Sequence, residues 1–445
     1  MTGAFCYPRK EDVTLERTLI RDLPPLVGQR IRIEGWMHNM RSFPDFSFLI
    51  LRDRTGQQQV ILEPTELKKL EGLQTETVLR IEGTVVAEER SPSGVDIREA
   101  TIEILSPVTE IGPFELNKRV LKPNLDTFLD HAGYGLRHPL KAATFRVMST
   151  LLGAYREYLT AHGFTEISTP KIVGSATEGG ANVFPVTYFD RTAYLAQSPQ
   201  LYKQIMVGVF ERVFEIGHVF RAEEHNTSRH LNEYISLDLE MGFIESQRDV
   251  MDALSGVLIG MFEIVAERNP KEIEMLKINL PLGQSFPVVT FREAQQLILD
   301  HHGEDRFHEP DLAPQDERWL CEWSKEQHGS DFVFVTHFPM SKRPFYAYPD
   351  PADPTYSESF DLLFRGSELV TGGRRINDYE QLVAMMTERG INTEPFSGFL
   401  EAFKFGMPPE GGFAIGAERL LARLTGAENI RETTLFPRDV TRLTP

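Results

Sequence analysis

FRAEEHNTSRHLNEY, residues 220–234, is the stretch on which the reading of this chain turns. An apolar run, Val213 to Phe220, leads into it, and an alternating run, YISLDLEMGF, leaves it. Two runs of strand character around a polar insert predict a β-hairpin with a long charged loop. The loop carries Arg221, Glu223, Glu224, His225, Arg229, His230 and Glu233. An arginine at a strand end can grip a phosphate through two parallel N–H···O bonds. A solvated hairpin tip accounts for the same residues, and on these residues alone both readings stand. Two histidines do not make a metal cluster, because no third and fourth ligand follow at a usual spacing.

Three more segments of the same half carry chemistry. FDLLFRGSELVTGGRRINDYE, residues 360–380, sets Asp361 and Glu368 seven apart on a strand pattern, ahead of Gly372-Gly373 and Arg374-Arg375. Two carboxylates beside glycines can hold Mg²⁺ bridged to phosphates, although turn glycines explain the pair equally well. GGFAIGAERL, residues 411–420, reads as a strand and a short helix bearing Glu418 and Arg419. It is neither a GxxxxGK[ST] loop nor a GxGxxG turn, so the common nucleotide folds are excluded. AYLAQSPQLYKQ, residues 193–204, gathers Gln197, Ser198, Gln200 and Lys203 at a helix entry.

Around these segments, LKAATFRVMSTLLGAYREYLTAHGF places Met148, Leu151, Leu152, Tyr155 and Leu159 at helical spacing, and FTEISTPKIV follows as a strand. Helices are expected near 248–267 and 378–389, with RVFEIGHVFRAE, FVFVTHFP and SFDLLFRGSELVTGG as strands. Strands with helices between and behind them indicate an α+β domain on a largely antiparallel sheet. Ahead of it, residues 17 to about 105 hold five short strands separated by turns at Asp53-Arg54-Thr55-Gly56 and Ser91-Pro92-Ser93-Gly94. Five strands in that length suit a small closed barrel of the OB type, with or without a nucleic-acid role. The expected division is a barrel over 1–105, a proline-bearing hinge over 106–135 and the α+β domain over 136–445.

The chain has 445 residues and a formal charge of −18, which opposes holding DNA or RNA by bulk positive charge. Two cysteines, Cys6 and Cys321, are too few for a disulfide framework. With no signal-peptide pattern at the N-terminus and no run of about 18 apolar residues, a cytoplasmic protein without a membrane or DNA partner is expected.

In this order the segments resemble motifs 1, 2 and 3 of class II aminoacyl-tRNA synthetases: TEISTPK, FRAE with its hairpin to LDLE, and GFAIGAERL. The preceding barrel resembles the anticodon-binding OB domain of subclass IIb. SPQLYKQ, RAEEHNTSRHLNEY and FDLLFRG look like the archaeal-type aspartyl-tRNA synthetases, and the resemblance runs from about residue 18 to the end. It implies an ATP-dependent enzyme that forms aspartyl-adenylate from L-aspartate and passes the aspartyl group to tRNA. Motif 1 of such enzymes lies at a homodimer interface, and the apolar helix before Pro170 fits that role. A catalytically eroded paralogue would lack Arg221, Glu368 or Arg419; all three are present.

Residue by residue, the resemblance puts Arg221 at the ATP α-phosphate, Glu223 at the adenosine and His230 by the phosphates. Tyr234 matches the aromatic under adenine, with Arg419 on its other side and at the γ-phosphate. Asp361 and Glu368 match the Mg²⁺ carboxylates, with Thr371 beside them and at the aspartate. Arg375 and Lys203 match the cations for the aspartate side chain, Glu178 and Asp238 the groups near its ammonium, and Ser198 and Gln200 complete that pocket. Two cations favour aspartate over neutral asparagine, and asparaginyl enzymes generally lack the lysine.

On the barrel, Phe48 matches the aromatic that stacks on an anticodon base, with Arg52 and Gln59 reading base edges. From the residues alone, Phe48 reads as a core aromatic of FSFLILRD. His38 and Pro92 fall where non-discriminating members carry His and Pro and discriminating ones Trp and Lys. That implies aspartylation of both tRNA(Asp) and tRNA(Asn), with an amidotransferase to convert the mischarged product. The chain departs from the family after this His, with Arg41-Ser42-Phe43-Pro44 in place of Arg-Asp-Leu-Gly. A discriminating aspartyl enzyme and an asparaginyl enzyme are the alternatives. Residues 17–62 hold seven arginines against four acidic residues, so this half of the barrel is locally basic within the acidic chain.

Overall fold

The computed structural model describes residues 15–42, 47–174, 182–224 and 227–444. Its contacts divide the chain into two compact units between Asn124 and Leu125.

In the first unit, β1 (Arg30–Ser42), β2 (Ser47–Arg52), β3 (Gln57–Leu62), β4 (Val78–Ala87) and β5 (Val95–Ser106) close into a barrel of order β1-β2-β3-β5-β4. Side-chain alternation sorts its faces. Ser47, Leu49 and Leu51 are buried along β2, while Phe48, Ile50 and Arg52 are partly exposed. Ile31, Ile33, Val60, Leu79, Ile81 and Ile97 join Leu49 and Leu51 in the core. Phe48 is therefore not the core aromatic that its apolar neighbours suggest. The β1–β2 register slips between Met37 and Asn39, a bulge that falls at His38.

The second unit is built on an eight-stranded sheet. Its strands are β6 (Thr165–Glu166), β10 (Arg212–Phe220), β11 (Glu233–Gly242), β12 (Val288–Thr290), β13 (Phe332–Thr336), β14 (Ser359–Phe364), β15 (Ser367–Arg375) and β16 (Glu410–Gly416). The order is β12-β13-β14-β15-β16-β11-β10-β6. The six central strands are antiparallel, and the edge pairs β12–β13 and β6–β10 are parallel. Helices Pro139–Ala161 and Gln247–Arg268 bury their apolar faces against it. The first spends Met148, Leu151, Tyr155 and Leu159 on this internal core, so those side chains are not free to form a dimer face.

Two strands expected from the sequence come out differently. FTEISTPKIV is not one strand. It contributes β6 to the main sheet and β7 (Ile172–Val173) to a separate three-stranded sheet with β8 (Pro185–Tyr188) and β9 (Arg191–Leu195). Pro170 lies between the two pieces and has no N–H with which to continue a ladder. SFDLLFRGSELVTGG is a hairpin, β14–β15, reversing at Arg365-Gly366 with φ of 47° and 86°. Two successive positive φ values suit the right-handed twist of paired strands. The hairpin sets Asp361 directly opposite Thr371 instead of in line with Glu368.

Candidate active site

A cleft of about 360 Å³ opens on the second unit, lined from β11, β15, β16, the β10–β11 loop and the entry of helix Gln200–Phe210. Asn232 ties the neck of the charged loop. Arg221 N donates to its carbonyl at 2.9 Å, and Asn232 Nδ2 donates to the carbonyls of Arg221 and Glu223 at 2.7 and 3.1 Å. Those bonds hold the backbone from which Arg221 and Glu223 reach the cleft. The Arg221 guanidinium lies 5.8 Å from the centroid of the Tyr234 ring, within cation–π range. His230 Nδ1 lies 2.6 Å from Thr227 Oγ1, and its Nε2 is 3.5 Å from the Glu223 carboxylate.

At the mouth, Glu368 accepts from Thr371 Oγ1 at 3.0 Å, and Arg419 Nη1 lies 3.7 Å from the same carboxylate oxygen. Arg419 Nη1 also donates to the Glu368 carbonyl at 3.1 Å. Behind them stands Glu317, on helix Pro314–His328, accepting from Glu368 N at 3.3 Å and lying 3.8 Å from Arg229 Nη1. Burial, with Glu368 beside it, pushes the Glu317 carboxyl up to about 7. Asp361 does not line the cleft. It is buried and accepts from Arg343 Nη2 at 3.0 Å, and burial pushes its carboxyl up to about 6. Glu418 is buried at the cleft edge, with both carboxylate oxygens on Ile235 N at 3.1 and 3.0 Å.

The floor holds the densest charge. Lys203 Nζ, 1% exposed, meets Asp238 Oδ1 at 3.0 Å, Glu240 Oε2 at 3.1 Å and the carbonyls of Phe413 and Leu239 at 3.1 and 3.3 Å. Arg375 Nε donates to Glu240 Oε1 at 2.8 Å and Nη2 to the Gly412 carbonyl at 2.9 Å. One fully buried carboxylate thus joins both cations expected to meet a substrate carboxylate. Ser236 Oγ donates to Asp238 Oδ2 at 2.5 Å. Ser198 accepts from Gln200 N at 3.2 Å, and the buried Gln200 Nε2 has no hydrogen-bond partner among the described residues. A buried donor left open beside a cleft invites a ligand acceptor. The glycine pair is a packing device as well as a lining: a Cβ on Gly372 would strike the Phe360 ring, and one on Gly373 would come 2.6 Å from the Glu358 carbonyl.

The cleft therefore brings together Ser198, Gln200, Lys203, Arg221, Glu223, His230, Tyr234, Asp238, Glu368, Thr371, Arg375 and Arg419 from four separate sequence segments. Glu178 lies outside the described residues. Arg229, Asn232, Glu240, Glu317, Arg343 and Glu410 were not singled out as site residues. The period-two spacing of Asp238 and Glu240 on one strand would have flagged Glu240. Glu317 and Arg343 meet their partners across long sequence gaps and left no local signal.

On the barrel, Phe48 and Arg52 share the outward side of β2, and Gln59 pairs opposite Ile50 on β3. Arg52 donates to both oxygens of Glu76 at 2.9 and 2.7 Å and sits 5.1 Å from the Trp36 ring centroid. Gln59 Nε2 is 3.3 Å from both oxygens of Asp96. Trp36, partly exposed opposite Arg52, is a second aromatic of this face that the sequence reading passed over. His38 is buried and Pro92 exposed.

Residues 124–440 match the family described as tRNA synthetases class II (D, K and N), and residues 31–105 match the OB-fold nucleic acid binding domain. The chain belongs to the class II tRNA synthetases. A 45% identical relative from Thermus thermophilus is named aspartate–tRNA(Asp/Asn) ligase, and the match covers 96% of this chain and 100% of the relative. A 40% identical synthetase from Pyrococcus abyssi, covering 94% and 97% of the two chains, is named aspartate–tRNA(Asp) ligase. Among solved class II synthetases, the asparaginyl-tRNA synthetase of Pyrococcus horikoshii complexed with asparaginyl-adenylate superposes with a TM-score of 0.90 at 31% identity. That match covers 97% of this chain and 100% of the other.

Proposed function

We propose that the chain activates L-aspartate with ATP and transfers it to tRNA, charging both tRNA(Asp) and tRNA(Asn). The observation that carries this reading is the convergence of Lys203 and Arg375 on the floor of the cleft that Arg221 and Arg419 also line. Attack of the aspartate α-carboxylate on the ATP α-phosphate needs alignment and charge stabilisation more than an acid–base pair. Arg221 stabilises the charge growing on the α-phosphate, Glu223 holds the adenosine, and Tyr234 and Arg419 enclose the adenine. Arg419 and His230 meet the outer phosphates.

Magnesium fits the donor set. Glu368 and the Thr371 hydroxyl offer hard oxygens at the cleft mouth, and Asp361, paired opposite Thr371 on the neighbouring strand, is held by Arg343. When bound, the ion neutralises charge on the phosphates. Arg375 and Lys203 orient the aspartate side chain, Asp238 and Glu178 meet its ammonium, and Ser198 and Gln200 close the pocket.

On the barrel, Phe48 stacks on an anticodon base, with Arg52 and Gln59 at base edges held in aim by Glu76 and Asp96. His38 and Pro92 favour acceptance of both tRNAs, as the Thermus thermophilus relative's name says of that enzyme. The discriminating alternative has one feature in its favour, the departure at residues 41–44. In the first reading an amidotransferase acts downstream on Asp-tRNA(Asn). A cytoplasmic homodimer completes the proposal. Among the described residues no helix is long and apolar enough to cross a membrane. Aminoacylation of pure tRNA(Asp) and tRNA(Asn) transcripts is the test: aspartate on both is expected, and tRNA(Asn) that accepts none refutes the broader specificity.

A further inference from the structure

Behind the cleft floor stands a third carboxylate, beyond Asp238 and Glu240. Glu410 opens β16, fully buried, with its backbone paired opposite Arg375 on one side and Gly242 on the other. Gln204 Nε2 donates to Glu410 Oε1 at 3.0 Å, while Oε2 has no hydrogen-bond partner among the described residues. The groups facing it are Lys203 and Gln204 from the helix, Glu240 from β11 and Arg375 from β15. Lys203 and Arg375 supply two positive charges, and their bonds to Asp238 and Glu240 already set two negative charges against them. An ionised Glu410 would leave the floor with an excess negative charge before any substrate entered. A dry pocket with that excess would repel an anionic side chain.

We propose that Glu410 is held as the neutral acid and sets the charge of the pocket, so that the aspartate side-chain carboxylate enters a balanced floor instead of an anionic one. Burial and the neighbouring Glu240 carboxylate both push the Glu410 carboxyl well above its ordinary range. The bonds of Arg375 to Glu240 and to the Gly412 carbonyl use two of its five N–H donors, so the guanidinium keeps capacity for a substrate carboxylate. Glu410 does not line the cleft, so it acts as a positioning residue through charge and through Arg375. Loss of its proton would raise KM for aspartate and turn the pocket toward the neutral amide of asparagine. This inference rests on the reading of the cleft floor as the aspartate pocket.

The test uses the full-length enzyme and two readouts. In infrared difference spectra of wild type against Glu410→Gln at neutral pH, a protonated-carboxyl carbonyl band belonging to Glu410 is expected in the wild type only. In ATP–pyrophosphate exchange at the same pH, Glu410→Gln is expected to keep KM for aspartate within about threefold of wild type, because the amide reproduces the neutral state. Any alkaline rise in wild-type KM must follow loss of the band and be absent from Glu410→Gln. The proposal is overturned if the band is missing at neutral pH, if Glu410→Gln raises KM about tenfold or more with its melting temperature unchanged, or if both proteins share an alkaline rise. Arg375→Leu separates the two levels: an unchanged KM for aspartate there refutes the pocket reading, whatever the spectrum shows.

Discussion

The cleft floor and the outer barrel face, the two recognition surfaces of the proposed function, are built on opposite terms. On the floor, Lys203, Arg375, Glu240 and Glu410 are almost wholly buried and answer one another. On the barrel, Phe48, Arg52 and Gln59 remain partly exposed, each polar reader steadied by one carboxylate. A buried ion pair that loses a partner leaves an uncompensated charge in a dry site, which costs about 3–5 kcal/mol. A stacked base on an exposed aromatic is worth about 1–3 kcal/mol. The floor can therefore decide sharply between two amino acids, while the barrel must add several modest contacts to choose a tRNA. On the proposed reading an acidic chain can bind RNA on those terms because residues 17–62, which supply Phe48, Arg52 and Gln59, hold seven arginines against four acidic residues.

The largest effect that would break this contrast lies in the cleft. Arg221→Ala is expected to lower the aspartate-dependent pyrophosphate exchange rate on the order of 10³-fold, with folding intact by circular dichroism. A loss no larger than that of a barrel substitution would erase the distinction. Next, Phe48→Ala is expected to raise KM for tRNA about tenfold and leave pyrophosphate exchange alone. Raising salt should likewise weaken tRNA binding steeply while KM for aspartate hardly moves. A tRNA affinity indifferent to salt would remove the barrel from the account.

How far these regions were legible in the sequence follows from the range of their contacts. FRAEEHNTSRHLNEY announced its hairpin and GFAIGAERL its strand and helix, because period-two and helical spacing act within a few residues. The reversal at Arg365-Gly366 is hidden in the sequence because SFDLLFRGSELVTGG carries strand character on both sides of it. Glu317 and Glu410 escaped for another reason: Glu317 meets Glu368 51 positions away, and Gln204 meets Glu410 206 positions away. Only closure of the sheet makes those pairs neighbours. Phe48 shows the opposite case, where strict alternation along β2 overrules its apolar surroundings.

The smallest effect concerns Glu418, whose carboxyl burial pushes from 4.5 up to about 7. Since the folded value lies above the unfolded one, its contribution to stability is complete below about pH 4.5 and is lost as pH rises through about 7. Glu418→Gln should therefore be more stable than wild type at pH 8 and close to it at pH 4.5, as read by urea denaturation. Equal stability at both values would mean that this part of the cleft is wetter than its burial indicates.

The central claim is that the floor accepts an aspartate side chain and rejects its amide. ATP–pyrophosphate exchange with L-aspartate and L-asparagine in parallel tests it most directly. Exchange with aspartate at least about 10³-fold more efficient than with asparagine is the predicted result, as expected when the wrong ligand leaves buried N–H donors without the carboxylate acceptor they are aimed at. Exchange with asparagine alone, or with neither, would contradict it.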